Sequence, residues 1–338
     1  MACEVLTVDS QSPDAAKIRR AAEGLRAGGL VAFPTETVYG LGADALDAAA
    51  VGRIFAAKGR PPTNPIIVHV PEVAAARTLV SDWPPAAQRL AESFWPGPLT
   101  LVLGRLPIVP DVVTAGGPTV ALRIPAHPVA LAILRATGTP IAAPSANRST
   151  RLSPTRAEHV LRDLGDRIDL LVDGGPTPGG LESTVLDVTT VQPRLLRPGL
   201  VRMSELESVI GPVAAQAESG GDKPRRSPGM LDKHYAPQTP LELTTDGQAR
   251  IHELGAQKLR VAWLTFTPEQ TSVPSAVVKV PMPYDAKAYS ARLYAVLHNL
   301  DALGLDRIIV DLPPDTDDWL AVHDRLRRAA ETLPPARP

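Results

Sequence analysis

Between Phe33 and His69 the chain sets a dense run of polar chemistry between two buried strands. Residues 30–33 read as a strand end, and Pro34 stops it. Thr35, Glu36, Thr37 and Tyr39 then crowd hydroxyls, a carboxylate and a phenol into one turn. Gly40 and Gly42 follow, residues that let backbone approach closely. A helix later, Lys58-Gly59-Arg60-Pro61 brings in two cations, and Asn64-Pro65-Ile66-Ile67-Val68-His69 makes a second strand that ends in an imidazole. Loops this polar, pinned between buried strands, are where sites are usually built.

The rest of the chain supplies the scaffold. Residues 14–27 read as a helix with Ile18, Ala22 and Leu25 on one face. Asp47 is a good cap for a helix carrying Val51, Ile54 and Phe55, which Gly59 and Pro61 end. Strands are expected at 66–70, 99–103, 120–124, 141–143, 170–173, 183–188 and 194–197, and helices at 72–79, 84–94 and 129–137. Ser153-Pro154 reads as the N-cap and first-turn proline of a further helix closed by Gly165. Strands and helices mix without strict βαβ alternation, which predicts an α/β domain with a mixed, twisted sheet over residues 1–210. Residues 211–239 become Ala/Glu/Ser/Gly-rich and then run Lys223-Pro224-Arg225-Arg226-Ser227-Pro228-Gly229, a linker. Residues 240–338 carry strands at 241–244, 260–266, 276–280 and 307–312, with helices at 287–303 and 317–332, a second and smaller α/β module.

Charge narrows the function. Lys and Arg number 35 against 36 Asp and Glu, and residues 1–210 hold 20 basic and 20 acidic groups. No segment has the surplus of a dedicated nucleic-acid binder, so any weak RNA contact would need a local patch. Cys3 is the sole cysteine, which removes a disulfide framework or a cysteine-based zinc site. The polar, acidic start does not read as a signal peptide and no apolar run approaches a membrane span, so a cytoplasmic chain with no membrane partner is expected.

Gly40-Leu41-Gly42-Ala43-Asp44-Ala45 fits a dinucleotide-binding pattern in letters only. That fingerprint needs a strand running directly into the first glycine and an acid about 20 residues on, and here residues 58–65 hold none. There is no P-loop pattern. Lys58 and Arg60 could simply complement a helix dipole from solvent. Yet of the 20 basic residues before position 211 only Lys17 and Lys58 are lysines. An ammonium beside a guanidinium in an arginine-biased domain suits a polyphosphate. Ser145-Ala146-Asn147, after a strand and Pro144, fits phosphate or ribose contacts or plain turn capping. Ser153 fits a cap, an anion site, or both. Arg123, inside an apolar strand, must meet a structural acid or a ligand carboxylate. His69, Glu182-Ser183-Thr184 and Arg197-Pro198-Gly199 sit at strand edges and are weak singly.

Together the motifs are specific. Pro34-Thr35-Glu36-Thr37-Val38-Tyr39-Gly40-Leu41-Gly42, Lys58-Gly59-Arg60-Pro61 with Asn64-Pro65, and Trp95-Pro96-Gly97-Pro98-Leu99-Thr100 come first. Arg123-Ile124-Pro125, Pro144-Ser145-Ala146-Asn147, Glu182-Ser183-Thr184 and Arg197-Pro198-Gly199 follow, in the order seen in the threonylcarbamoyl-AMP synthase (YrdC-like) family. Ser227-Pro228-Gly229-Met230 and His234-Tyr235-Ala236-Pro237, followed by the small module, resemble the longer two-domain form. The resemblance implies a YrdC-like twisted sheet with a large concave pocket, then a linker, then a small Rossmann-like α/β domain. The aromatic His234-Tyr235-Ala236-Pro237 turn in an otherwise polar tether makes that linker a candidate lid over the nucleotide. It implies a nucleotidyltransferase that makes threonylcarbamoyl-AMP and pyrophosphate from L-threonine, bicarbonate and ATP for the t6A37 modification of tRNA. Downstream tRNA threonylcarbamoyltransferase machinery would be its partner.

Carried over by motif, Lys58 and Arg60 are the implied catalytic cations. Arg60, Asn64, Thr119, Ser145, Ser153, Arg197 and Tyr235 would form the ATP site, and Thr37, His69, Arg123, Ala143 and Ser183 the threonine site. Mg2+ would arrive on the ATP phosphates, since no carboxylate cluster is made to hold it. Two rivals are weaker. A carbamoyltransferase of the hydrogenase-maturation type resembles a much longer, cysteine-rich chain. An RNA-binding module that uses a concave face without catalysis would show a basic surplus.

Overall fold

The computed structural model describes residues 3–215, 235–267 and 273–330. The Ser227-Pro228-Gly229-Met230 motif, Leu231-Asp232, His234 and most of the expected linker therefore lie outside the described residues. The chain divides into two compact units, Met1–Ser149 with Ser153–Met230, and Thr150–Leu152 with Leu231–Pro338.

The first unit is built on ten strands: β1 Glu4–Thr7, β2 Val31–Phe33, β3 Gly40–Asp44, β4 Ile67–His69, β5 Leu99–Gly104, β6 Thr119–Arg123, β7 Ile141–Ala142, β8 Leu170–Asp173, β9 Thr184–Asp187 and β10 Arg194–Arg197. They lie in the order β1-β8-β2-β3-β7-β4-β6-β5-β9-β10, some pairs parallel and others antiparallel. This is the mixed sheet expected.

Alternation along the central strands separates core from site. Val120 and Leu122 of β6 join Val68, Leu101 and Leu103 in the main core. Ala121, opposite Ile67, faces the other side in a small cluster with Val102, Val185 and Leu196. His69 is opposite Arg123, so imidazole and guanidinium share that second face.

The loops around the site have local causes. Asp47 caps the helix Ala48–Lys58 by accepting from the amides of Ala49 and Ala50 at 2.8 and 3.2 Å. Gly59, at φ +60°, stops it in the left-handed conformation. Gly40 and Gly42, which follow that turn, lie inside β3, antiparallel to β2. A Cβ on Gly42 would lie 2.7 Å from the Phe33 ring and 2.9 Å from Ile141, so close packing explains that glycine. Ser153 is also misread as a helix cap. The helix begins later, at Ala157, and the buried Ser153 donates instead to Glu182.

The second unit is a four-stranded parallel sheet, β11 Leu241–Thr244, β12 Val261–Thr265, β13 Val277–Pro281 and β14 Arg307–Asp311, in the order β11-β14-β12-β13. Helices Gly247–Ala256, Ala286–Asp301 and Leu320–Ala329 connect and cover it. The first of these is not among the helices the sequence predicts, since its apolar pattern is short: only Gly247, Ile251 and Leu254 are buried. Among the described residues no helix is long and apolar enough to cross a membrane.

Candidate active site

The segment from Pro34 to Tyr39 is a strap tied down at both ends. Thr35 Oγ1 donates to Val38 O and meets Thr37 Oγ1, both at 2.7 Å. Tyr39 N donates to Pro154 O, and Tyr39 O accepts from Ala146 N, both at 2.8 Å. The Tyr39 hydroxyl donates to Gly175 O at 2.6 Å, and burial pushes its pKa up. The strap therefore joins the Ser145 turn, the Ser153 segment and the loop after β8.

Lys58 ends its helix pointing inward and is only 3% exposed. Its ammonium donates to Ser145 O at 2.6 Å and to Asn147 O. Burial first, then the neighbouring Arg60 charge, hold its pKa well below the usual lysine range. The solvated reading of this lysine is therefore wrong. Arg60 is buried as well, Nε donating to Asn64 O at 3.1 Å and Nη2 to Pro65 O at 2.8 Å. Those bonds shape the 60–65 loop, and within it the buried Asn64 side-chain amide has no hydrogen-bond partner on either atom. A buried amide left this way calls for a partner that the chain does not supply, a water or a ligand.

Arg123 is buried and pairs with Glu36, Nη2 to Oε1 at 2.7 Å, while Nε donates to Gly97 O at 3.3 Å. Beside it, His69 is buried with both ring nitrogens unpartnered; burial and the Arg123 charge hold its pKa well below the ordinary value. It is no satisfied core histidine. Ala143 donates its amide to Ile67 O at 2.9 Å, next to this pair of strands.

A further group forms where β9 and β10 begin and end. Ser183 Oγ meets Thr100 Oγ1 at 2.8 Å, and Arg197 Nη2 donates to Ser183 O and Oγ at 2.9 and 3.1 Å. Ser153 Oγ donates to Glu182. Thr37 O accepts from Gly180 N at 3.1 Å, which brings the strap to the approach of this group. Thr119 instead lines a cavity of about 800 Å³ with Pro65, Ile66, Ala121 and Thr189, a space that Lys58, Arg60, His69 and Arg123 do not line. Tyr235 belongs to the second unit, where it is buried, adopts φ +61°, and packs 6.1 Å from the Tyr294 ring and under the Arg325 guanidinium at 4.9 Å.

Glu36 and Thr100 stand in the quoted motifs, but nothing in the sequence assigns either a role of its own. Glu36 has no separate signal beyond its place between two threonines, and Thr100 lies in an otherwise apolar strand. Among the described residues no group of three or more His, Cys, Asp or Glu side chains is arranged to hold a metal ion.

Two groups thus combine buried cations with unfilled hydrogen-bonding side chains: Lys58 and Arg60 with the Asn64 amide, and Arg123 with the His69 imidazole. The family model described as Telomere recombination matches residues 23–199, and that described as Threonylcarbamoyl-AMP synthase, C-terminal domain, matches 201–331. The threonylcarbamoyl-AMP synthase of Bacillus subtilis is 45% identical over 334 residues, 95% of each chain. The chain belongs to the threonylcarbamoyl-AMP synthase family. Sua5 from P. abyssi, solved in complex with L-threonine, superposes with a TM-score of 0.90 at 39% identity, over 96% of this chain and 97% of that one. A shorter relative, a putative threonylcarbamoyl-AMP synthase of Mycobacterium tuberculosis, is 43% identical over 192 residues, 56% of this chain and 88% of its own. Family membership thus covers both units here, while that shorter relative matches little more than half of the chain.

Proposed function

We infer that the chain condenses L-threonine, bicarbonate and ATP into threonylcarbamoyl-AMP and pyrophosphate, a product that feeds the t6A37 modification of tRNA. The observation that supports this reading, in a member of this family, is that buried cations lie beside buried unfilled hydrogen-bonding groups, Lys58 and Arg60 by Asn64 and Arg123 by His69.

In the reaction the threonine amine and bicarbonate form a carbamate and water. A carbamate oxygen then attacks the α-phosphorus, and the bond from that phosphorus to pyrophosphate breaks. Charge builds on the phosphate oxygens, so the step calls for fixed cations and positioning more than for a covalent nucleophile. Arg60 and Asn64 hold the triphosphate in this reading, with Lys58 on the oxygens that gain charge. Lys58 is already fixed by two carbonyls, so little reorganisation is needed when phosphate arrives. Ser145, Ser153 and Arg197 complete the nucleotide site in this reading. Arg123 takes the threonine carboxylate, and Thr37, His69, Ala143 and Ser183 enclose the side chain and amine. Mg2+ would be carried by ATP and would supply charge neutralisation to its phosphates, since no group of carboxylates among the described residues is arranged to hold it. A cytoplasmic location, and hand-over to a tRNA threonylcarbamoyltransferase, belong to the same reading.

The test is pyrophosphate release by the full chain with threonine and bicarbonate each present or omitted. Release that requires both is the expected result. Release without threonine would favour carbamoyl transfer, and tight tRNA binding without release would favour an RNA-binding module.

A further inference from the structure

Arg123, assigned above to the substrate carboxylate, already holds one: Glu36, at 2.7 Å, in a pair whose side chains are 4% and 14% exposed. Glu36 is presented by a fixed backbone, its own carbonyl accepting from Gly179 N at 2.9 Å and that of Thr37 from Gly180 N at 3.1 Å. Apart from the charge contact, neither Glu36 oxygen has an aligned hydrogen-bond donor, although both are buried. The other titratable neighbours do not compensate it. His127 uses Nδ1 to accept from Val129 N at 3.2 Å, and burial lowers its pKa, so it is neutral. His69 is kept neutral by burial and by Arg123. Glu36 is thus a carboxylate held by one cation and able to accept more bonds than it receives.

We propose that Glu36 is a stand-in for the ligand: it occupies Arg123 in the empty site, yields it to the α-carboxylate of the incoming amino acid, and receives that ligand's α-ammonium. The two charged groups of an α-amino acid are joined through a single carbon. A ligand whose carboxylate replaces that of Glu36 on Arg123 therefore brings its ammonium to the displaced side chain. The exchange turns one buried ion pair into two and leaves no charge uncompensated. A carboxylic acid without the amine would leave Glu36 buried and unpaired, a state that costs heavily. Glu36 is on this account the residue that selects an amino acid over its deamino counterpart. The inference rests on the proposed function for the identity of the amino acid.

Binding of L-threonine and of (R)-3-hydroxybutyrate, which is threonine without its amine, is measured by calorimetry on the full chain and on Glu36→Gln and Glu36→Asp variants. The wild type should bind threonine at least about a hundredfold more tightly than 3-hydroxybutyrate, as expected for loss of a charged pair. In Glu36→Gln threonine should weaken about tenfold or more while 3-hydroxybutyrate tightens, so that the preference collapses. Glu36→Asp should keep the preference. Equal shifts for both ligands in Glu36→Gln, or none, would overturn the inference while leaving threonine binding and the proposed function intact. If Glu36→Gln does not fold, comparable affinity of the wild type for the two ligands would overturn it equally. A wild type that neither binds threonine nor releases pyrophosphate overturns both readings.

Discussion

Lys58 shows how much a single side chain is asked to do. Its ammonium closes the Ser145–Asn147 turn, and in the proposed reading it also faces the phosphate oxygens that gain charge. Lys58→Met should reduce threonine-dependent pyrophosphate release by about 10²–10³-fold, the usual loss when one oriented donor is removed from developing charge. It should also cost about 1–3 kcal/mol in urea unfolding, because two carbonyls lose their donor. His69 predicts a pH effect. Its folded-state pKa lies well below the 6.5 of a free imidazole, with burial the main cause. Below that pH the unfolded chain binds a proton that the folded chain refuses, so stability falls as pH drops. The slope is at most about 1.4 kcal/mol per pH unit for each such histidine. His127, also lowered by burial, adds to it. His69→Asn should flatten the fall between about pH 6.5 and 5, read as urea midpoints across that window. An unchanged slope would mean that His69 takes up its proton inside the fold.

At the scale of elements, the site depends on where one helix stops and how closely two strands pack. Asp47 and Gly59 fix the two ends of Ala48–Lys58, and so set which residues, Lys58 and Arg60, flank its last turn. Asp47→Ala should destabilise the first unit by about 1 kcal/mol in thermal unfolding, the cost of losing an N-cap. Gly42 has a tighter constraint. A methyl group there would meet the Phe33 ring, Ile141 and the Val31 carbonyl from within 3.2 Å. Gly42→Ala should therefore cost about 1–3 kcal/mol by overpacking. It would also separate β2 from β3 at the base of the strap, so pyrophosphate release should fall further than the stability loss explains. Activity measured well below the melting temperature separates the two effects.

Over the whole molecule, each unit has hydrophobic clusters of its own. Ile251, Val261, Trp263 and Ile309 form one in the second unit, apart from the clusters around the ten-stranded sheet. Separate cores predict unfolding in more than one step. Ile309→Ala, at a fully buried position, should lower the stability of the second unit by about 2–5 kcal/mol and shift one calorimetric transition while leaving the other in place. A single transition that moves as a whole would refute separate cores. Much of this architecture is legible in the residues themselves. Apolar runs, the Asp47 cap and the Gly59 stop specify the strands and the helix locally, and the ordered motifs place Lys58, Arg60, Asn64, Arg123 and Ser183 among the site candidates. These signals are legible because local backbone preference and near-neighbour chemistry act over a few residues. Which polar groups meet is settled only by the folded chain. Glu36 reaches Arg123 across 87 positions of sequence, and Ser153 leaves its expected cap to meet Glu182, 29 residues on. His69 and Asn64 are buried without partners, and Gly42 is small because Phe33 and Ile141 close over it. Burial and pairing between distant strands set the charge state and the unfilled hydrogen bonds of a site, and no local pattern records them.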